Sequence, residues 1–369
     1  MNNSEINGFR QDFMIAEGHA HLLFAYPIDE TVEMFRKSLA YYGYERLQLL
    51  AIPCGTSHSA DDRSANIKAI YCKKRLSPAA YAAAGLFHTY DDRCDTADEF
   101  LRQARLAYSM GFDGFKMLEG KPRMRKNVGK RLDDPVYHEF YAFAQEKGMP
   151  ITMHVADPPV MWNKEKISEY ALKAGWLCDE TYPTKEELHA ETEGILQKFP
   201  DLRLVLAHFN FFSDDILRTV AWMDKYPNLY FDMTPGAQMF LDFSAKPEEW
   251  KAFFKKYKNR LIYGSDFHNF RTEQGTMYCP HTLRINQLRT FLETDKAFAV
   301  GEETAYGIAL PDDALLDIYC NNFYALYGEP RAVDSEAVLS ECEALLQTET
   351  DGLNLSNLQT IKAVFSWQK

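Results

Sequence analysis

Four histidines and one aspartate close short apolar runs in this chain. His19 and His21 end IAEGHAH, His154 ends PITMH, His208 ends LRLVLAH and Asp266 ends LIYGSD. Imidazole and carboxylate are ligands that zinc accepts, and a catalytic site leaves one position open for water. Water held there loses a proton near neutral pH and becomes a nucleophile. Five such side chains gathered on one rim would make a metal centre. A His-x-His pair alone says little, since most such pairs arise by chance or serve packing. The ordered series says more. Side chains alternate along a strand, so His19 and His21 face the same way.

The elements that must position these residues are legible as a repeat. Apolar runs at 13–18, 46–53, 81–87, 114–118, 150–154, 202–208, 229–233 and 261–265 read as strands, and a helical segment fits between each and the next. Helical patterns cover 28–43, 96–111, 134–148 and 246–257. Gly43, Gly111 and Gly148 follow helical runs, as C-terminal caps do. Asp134 before Pro135 is a helix opening. Strands alternating with helices predict a parallel sheet, and eight such units predict an α/β fold of the (β/α)8 TIM-barrel type. In a closed barrel the eighth strand lies beside the first, which brings Asp266 next to the His pair. An open doubly wound sheet is disfavoured, because no Gly-rich phosphate loop follows the first strand.

The barrel is expected to span 1–328, with a helical C-terminal extension of the same domain over 329–369. Residues 313–328 read as the closing helix, and 333–347 and 354–367 as two tail helices that cap the barrel base or mediate dimer contacts. One connection is long. The insertion at 156–185 follows the fifth strand, so it should lie over the barrel mouth. Its Trp162, Trp176 and Tyr182 either wall a substrate pocket or pack the insertion down.

Bulk properties narrow the function classes. The 369 residues carry 41 basic and 53 acidic side chains, a net charge of −12, which argues against nucleic-acid binding. The nearest basic patch, 118–131, reads as a solvated loop or an anion contact. No apolar run is long enough to span a membrane, and the first residues lack the apolar core of a signal peptide. Seven dispersed cysteines without a CxxC pair read as reduced thiols of a cytoplasmic protein. Cys54 ends the second strand without an evident base, and no GxSxG elbow supports a serine triad. A homodimer is the base-rate expectation.

With the strand-four Lys116, the ordered series resembles the amidohydrolase superfamily. LVLAHF, YGSDF and the closing NNFYALYG are most similar to its amidohydrolase-related branch, over roughly residues 12–328. That branch holds metal-dependent hydrolases and non-oxidative decarboxylases of the aminocarboxymuconate-semialdehyde type. The resemblance implies that His19, His21, His154 and Asp266 bind one divalent metal, zinc first, with manganese, iron or cobalt also suited. It implies that His208 shuttles protons and that Asp266 doubles as general base. Glu17 stands where family members often have Asp, and could orient His19.

Strand four offers Lys116 and Glu119 on opposite faces, with Lys116 favoured as the inward residue. Lys116, Glu119, Arg123, His88 and His268 are the candidates for substrate contact, and His58 lies in the loop after strand two. The expected reaction is hydrolysis of an amide, lactone or ester bond in a small anionic substrate by metal-activated water. The alternative is non-oxidative decarboxylation on the same site. A non-enzymatic barrel is the third reading.

Overall fold

In the computed structural model, which describes residues 9, 12–23, 25–55, 61–236, 238–269 and 282–367, every apolar run contributes a strand. These are β1 (Ile15–His21), β2 (Tyr44–Leu50), β3 (Ala80–Gly85), β4 (Gly114–Gly120), β5 (Ile151–Val155), β6 (Leu204–Leu206), β7 (Leu229–Asp232) and β8 (Leu261–Ile262). A short ninth strand, β9 (Phe267–His268), follows. From β1 to β8, neighbours in sequence are neighbours in the sheet, and every pairing within this nine-stranded sheet is parallel. The strands are almost wholly buried, as expected where helices cover a parallel sheet. His58 and His281 lie outside the described residues.

The eighth position of the barrel is shared. β8 pairs with β7, while β9 pairs with β1 through Ala20–Phe267 and His21–His268. The Gly18 N–H donates to Tyr263 O at 3.0 Å across the seam. The uninterrupted strand expected over 261–265 is therefore broken. Gly264 lies in the break, where a Cβ would stand 2.9 Å from that of His19 and 2.7 Å from Thr234 Oγ1. Only a glycine lets the chain pass this close to the His pair.

Helices alternate with the strands, including Ile28–Tyr42, Ala97–Met110, His138–Glu146 and Pro247–Lys256. The closing helix runs from Asp312 to Tyr327, as expected, with one π-helical turn at Asp317–Asn321 between Asp312–Leu316 and Asn322–Tyr327. Phe323 and Leu326 of this last piece pack with Ala16, Tyr81, Val205 and Ile262 from four strands, so it plugs the barrel bottom.

Of the two places considered for the tail helices, Ser335–Leu346 and Gly352–Ser366, the barrel base is not the one they take. They flank the barrel, packing on Ala65–Leu76 and, for the first, on Ala97–Met110. The base is already filled by the closing helix. A buried ionic knot holds the tail's entry. Lys73 Nζ lies 2.7 Å from Asp113 and donates to Gly111 O, while Asp113 accepts the Ala82 and Arg331 N–H groups at 2.8 Å. Removing one partner of a buried pair strands the other charge. Asp113→Ala is therefore expected to lower the unfolding free energy by about 3–5 kcal/mol in denaturant titration; a loss below about 1 kcal/mol would show that the knot is dispensable.

Candidate active site

All the strand ends that carry the chemical series open on one cavity of about 340 Å³ at the C-terminal face. His21, Lys116, His154, His208, Asp266 and His268 line it, together with Arg123 and Arg284. The insertion supplies a wall through Met161, Trp176 and Tyr182. Trp162 does not join them; its indole N–H donates to Pro183 O at 3.2 Å and its ring packs on the core.

At the floor, β1 aims both imidazoles at one point. His19 Nε2 and His21 Nε2 stand 3.0 Å apart. His21 Nδ1 can only donate to its partner, Leu50 O, at 2.9 Å. His19 Nδ1 faces the Asp232 carboxylate at 2.6 Å, which makes it the protonated nitrogen too. Both Nε2 atoms then present lone pairs to each other. Burial holds both rings well below the usual imidazole range, so they are neutral. Two lone pairs at 3.0 Å repel unless a cation lies between them. Two nitrogens bound tetrahedrally to one zinc at about 2.0–2.1 Å stand about 3.3 Å apart, close to what is seen. Asp266 Oδ1 completes the cluster at 3.5 Å from His21 Nε2 and 3.9 Å from His19 Nε2. Among the described residues, these three form the group able to hold a metal ion.

His154 stands outside that tight group. Its Nε2 lies 3.2 Å from Asp157 Oδ1, an oxygen that also accepts from Lys121 Nζ at 2.7 Å. Its ring packs on His208, with centroids 4.7 Å apart, and His208 lies 5.4 Å from His19. His208 does not end β6 as expected. It follows two residues later, in a left-handed run of His208, Phe209, Asn210 and Phe211 with φ of 50–55°. A left-handed turn costs an L-residue roughly 1–2 kcal/mol per residue, and four in a row persist only when the surroundings dictate them. Here Asp232 Oδ1 accepts the His208 N–H at 2.8 Å, and Phe209 is buried among Phe231, Phe243 and Trp250. Asp266, with φ of 57°, turns the chain out of β8 in the same way.

Two expectations need correction. Glu17 does not orient the His19 ring. Its Oε1 accepts the backbone N–H groups of His19 and Ser265, and its Oε2 the Ser265 hydroxyl, so it pins backbone across the β1–β8 seam. Burial raises its carboxyl to about 7. The residue that orients His19 is Asp232, which the sequence reading missed although it is the one acid within the apolar run of strand seven. The second correction concerns His88 and Glu119. They bind each other at 2.9 Å, buried, and neither lines the main cavity. A register shift between Met117 and Gly120 breaks the alternation of β4 and carries Glu119 towards β3.

Lys116 does face the cavity. It is 2 % exposed, and among the described residues its Nζ has no hydrogen-bond partner. Burial pulls its ammonium down to about 8, against the pull of Asp232 and Asp266. Arg284, unforeseen because it lies on a distant helix, approaches Asp266 Oδ2 at 3.5 Å. Burial pushes the Asp266 carboxyl up, but His19, His208, His21 and Arg284 outweigh it and hold the group ionised. The site thus holds neutral nitrogen donors, an ionised carboxylate and cations around an apolar cleft.

The family described as Amidohydrolase matches residues 24–328, starting just after the His pair. No curated protein sequence matches the chain. Among solved structures, an uncharacterised TIM-barrel protein from Bordetella bronchiseptica is 16% identical with a TM-score of 0.53, covering 88% of each chain. The 5-carboxyvanillate decarboxylase of Sphingomonas paucimobilis is 11% identical, with a TM-score of 0.53 over 86% of this chain and 100% of its own. At these identities the likeness is one of fold. No helix among the described residues is long and apolar enough to cross a membrane.

Proposed function

Because the chain belongs to the amidohydrolase family, we propose that it is a metal-dependent hydrolase that cleaves an amide, lactone or ester bond of a small anionic substrate. The observation that carries this is the pair of facing Nε2 lone pairs beside an ionised Asp266, at the floor of a cation-lined cavity. His19, His21 and Asp266 would hold one divalent metal, zinc by preference, and His154, whose ring packs on His208, would join them only by leaving Asp157. Bound there, such an ion polarises a substrate carbonyl and lowers the pKa of water to about 7.

The chain's own groups supply the rest. Asp266, held ionised by its surroundings, accepts the proton of the attacking water at its carboxylate. His208, neutral through burial and fixed by the left-handed turn, lies across from Asp266. It carries the proton to the leaving nitrogen or oxygen. Lys116 holds an anionic group of the substrate against the floor. Trp176, Tyr182 and Phe211 exclude bulk water from the cleft.

Decarboxylation is the second reading. The shared fold of the 5-carboxyvanillate decarboxylase and a buried, unpartnered lysine suited to a carboxylate favour it. Turnover in 18O-labelled water separates the two. Hydrolysis places the label in the acid product, whereas release of CO2 with no label in the organic product would replace hydrolysis by the lyase reading.

A further inference from the structure

Two buried groups of opposite charge stand beside the cavity floor, each with an atom that has no direct partner among the described residues. One is Lys116, whose Nζ makes no hydrogen bond. The other is Glu119. Its Oε1 meets His88 Nε2 at 2.9 Å, while its Oε2 is buried and unpartnered. His88 is itself buried and packs on Phe100, with centroids 4.9 Å apart. Asp95 fixes the loop that follows His88, accepting the Thr89 and Tyr90 N–H groups at 2.8 and 3.0 Å. Glu119 is thus braced from behind.

Lys116 and Glu119 line one small gap of about 10 Å³ between the ends of β2, β3 and β4, walled by Ile52, Pro53, Leu86 and Met124. The gap adjoins the main cavity, since Ile52, Lys116 and Leu118 border both. The register shift that takes Glu119 out of the cavity is what brings it here. A single water needs about 10–15 Å³ of such space and at least two polar partners. An ammonium only donates and a carboxylate only accepts, so a water between them accepts from the first and donates to the second. The other acids near Lys116 are already engaged. Asp232 is taken up by His19, His208 and Thr234, and Asp266 faces the His pair and Arg284. Burying either charge without compensation is costly. We propose that Glu119, braced by His88, positions Lys116 through one ordered water held in this gap. The bridge offsets the buried ammonium and uses only one of its three N–H groups, which leaves the others for the cavity. It is a property of the folded chain and holds for either reaction weighed above.

The first test is a crystal structure at a resolution that orders waters, with metal content measured on the same protein. One water within hydrogen-bond distance of both Lys116 Nζ and Glu119 Oε2 is expected. A dry gap, or an ammonium turned away from it, would overturn the proposal. Protein that shows this water but holds no metal would support the bridge and count against the functional reading alone. The second test is a double-mutant cycle in denaturant titration with Lys116→Met, Glu119→Gln and the two together. Each single change strands a charge or a polar atom that the pair removes together. The double variant is therefore expected to unfold with a constant about tenfold smaller than independent effects would give. Strictly additive effects would overturn the coupling. In protein labelled with 13C at lysine Cε, the resonance lost in Lys116→Met should also move in Glu119→Gln, and an unmoved resonance would overturn it too.

Discussion

Asp266→Asn is expected to lower kcat by about 10²–10⁴-fold, the usual worth of a positioned general base. The substitution keeps the size of the side chain and one oxygen for coordination. It removes the charge and the ability to take a proton from water. Asp266 is the one carboxylate in the cluster with both His19 and His21, so no neighbour can replace it. Asp232 cannot, because its oxygens are occupied by His19 Nδ1 and by the backbone N–H groups of His208 and Thr234. Asp157 cannot, because it is bound to Lys121 and His154. The fall should appear in kcat more than in KM, since Lys116 and the aromatic wall are untouched. Steady-state kinetics with metal content measured in the same preparation checks this. A variant with wild-type turnover at full metal occupancy would remove Asp266 from the chemistry.

Asp232→Ala should weaken metal binding by about 10–100-fold, the effect of losing a carboxylate that orients a ligating imidazole. Two consequences run together. His19 loses the acceptor that fixes its tautomer and raises the basicity of Nε2. The left-handed turn at His208 also loses its acceptor, leaving backbone N–H groups without a partner at about 1–3 kcal/mol each. Asp232→Asn separates them. One amide oxygen can still accept the His208 and Thr234 N–H groups, but the amide nitrogen then faces His19 Nδ1 and favours the wrong tautomer. Competition with a chelator of known affinity reads the first effect, and thermal denaturation reads the second. Unchanged metal affinity in both variants would mean that Asp232 is structural only.

The residues of the candidate site were legible because their types are out of place at the ends of apolar strands. His19, His21, His154, His208 and Asp266 needed no three-dimensional information to be singled out. The barrel was legible for a related reason: strand and helix patterns alternate with caps such as Gly43 and Gly111 at their boundaries. What escaped depends on relations between strands. Asp232 reaches His19 across the barrel, and nothing local to LYFDM says so. Glu119 left the cavity because of a register shift, and a single sequence does not show where a strand slips. The left-handed run at 208–211 has no glycine to announce it. It is imposed by Asp232 and by the aromatic packing of Phe209. Arg284 comes from a helix after the barrel seam, with no pattern tying it to Asp266. The tail's amphipathic helices fit several surfaces, so the base and a dimer contact were both open to them, and sequence does not reveal that Phe323 and Leu326 already fill the base.

The central claim is a single divalent metal at the floor of the barrel. Anomalous scattering measured across the transition-metal edges, on crystals of protein purified without chelator, tests it most directly. One peak bound by His19 Nε2, His21 Nε2 and Asp266 Oδ1 is the predicted result. No peak at that point, or two peaks bridged by a Lys116 that has taken up CO2 as a carbamate, would contradict it.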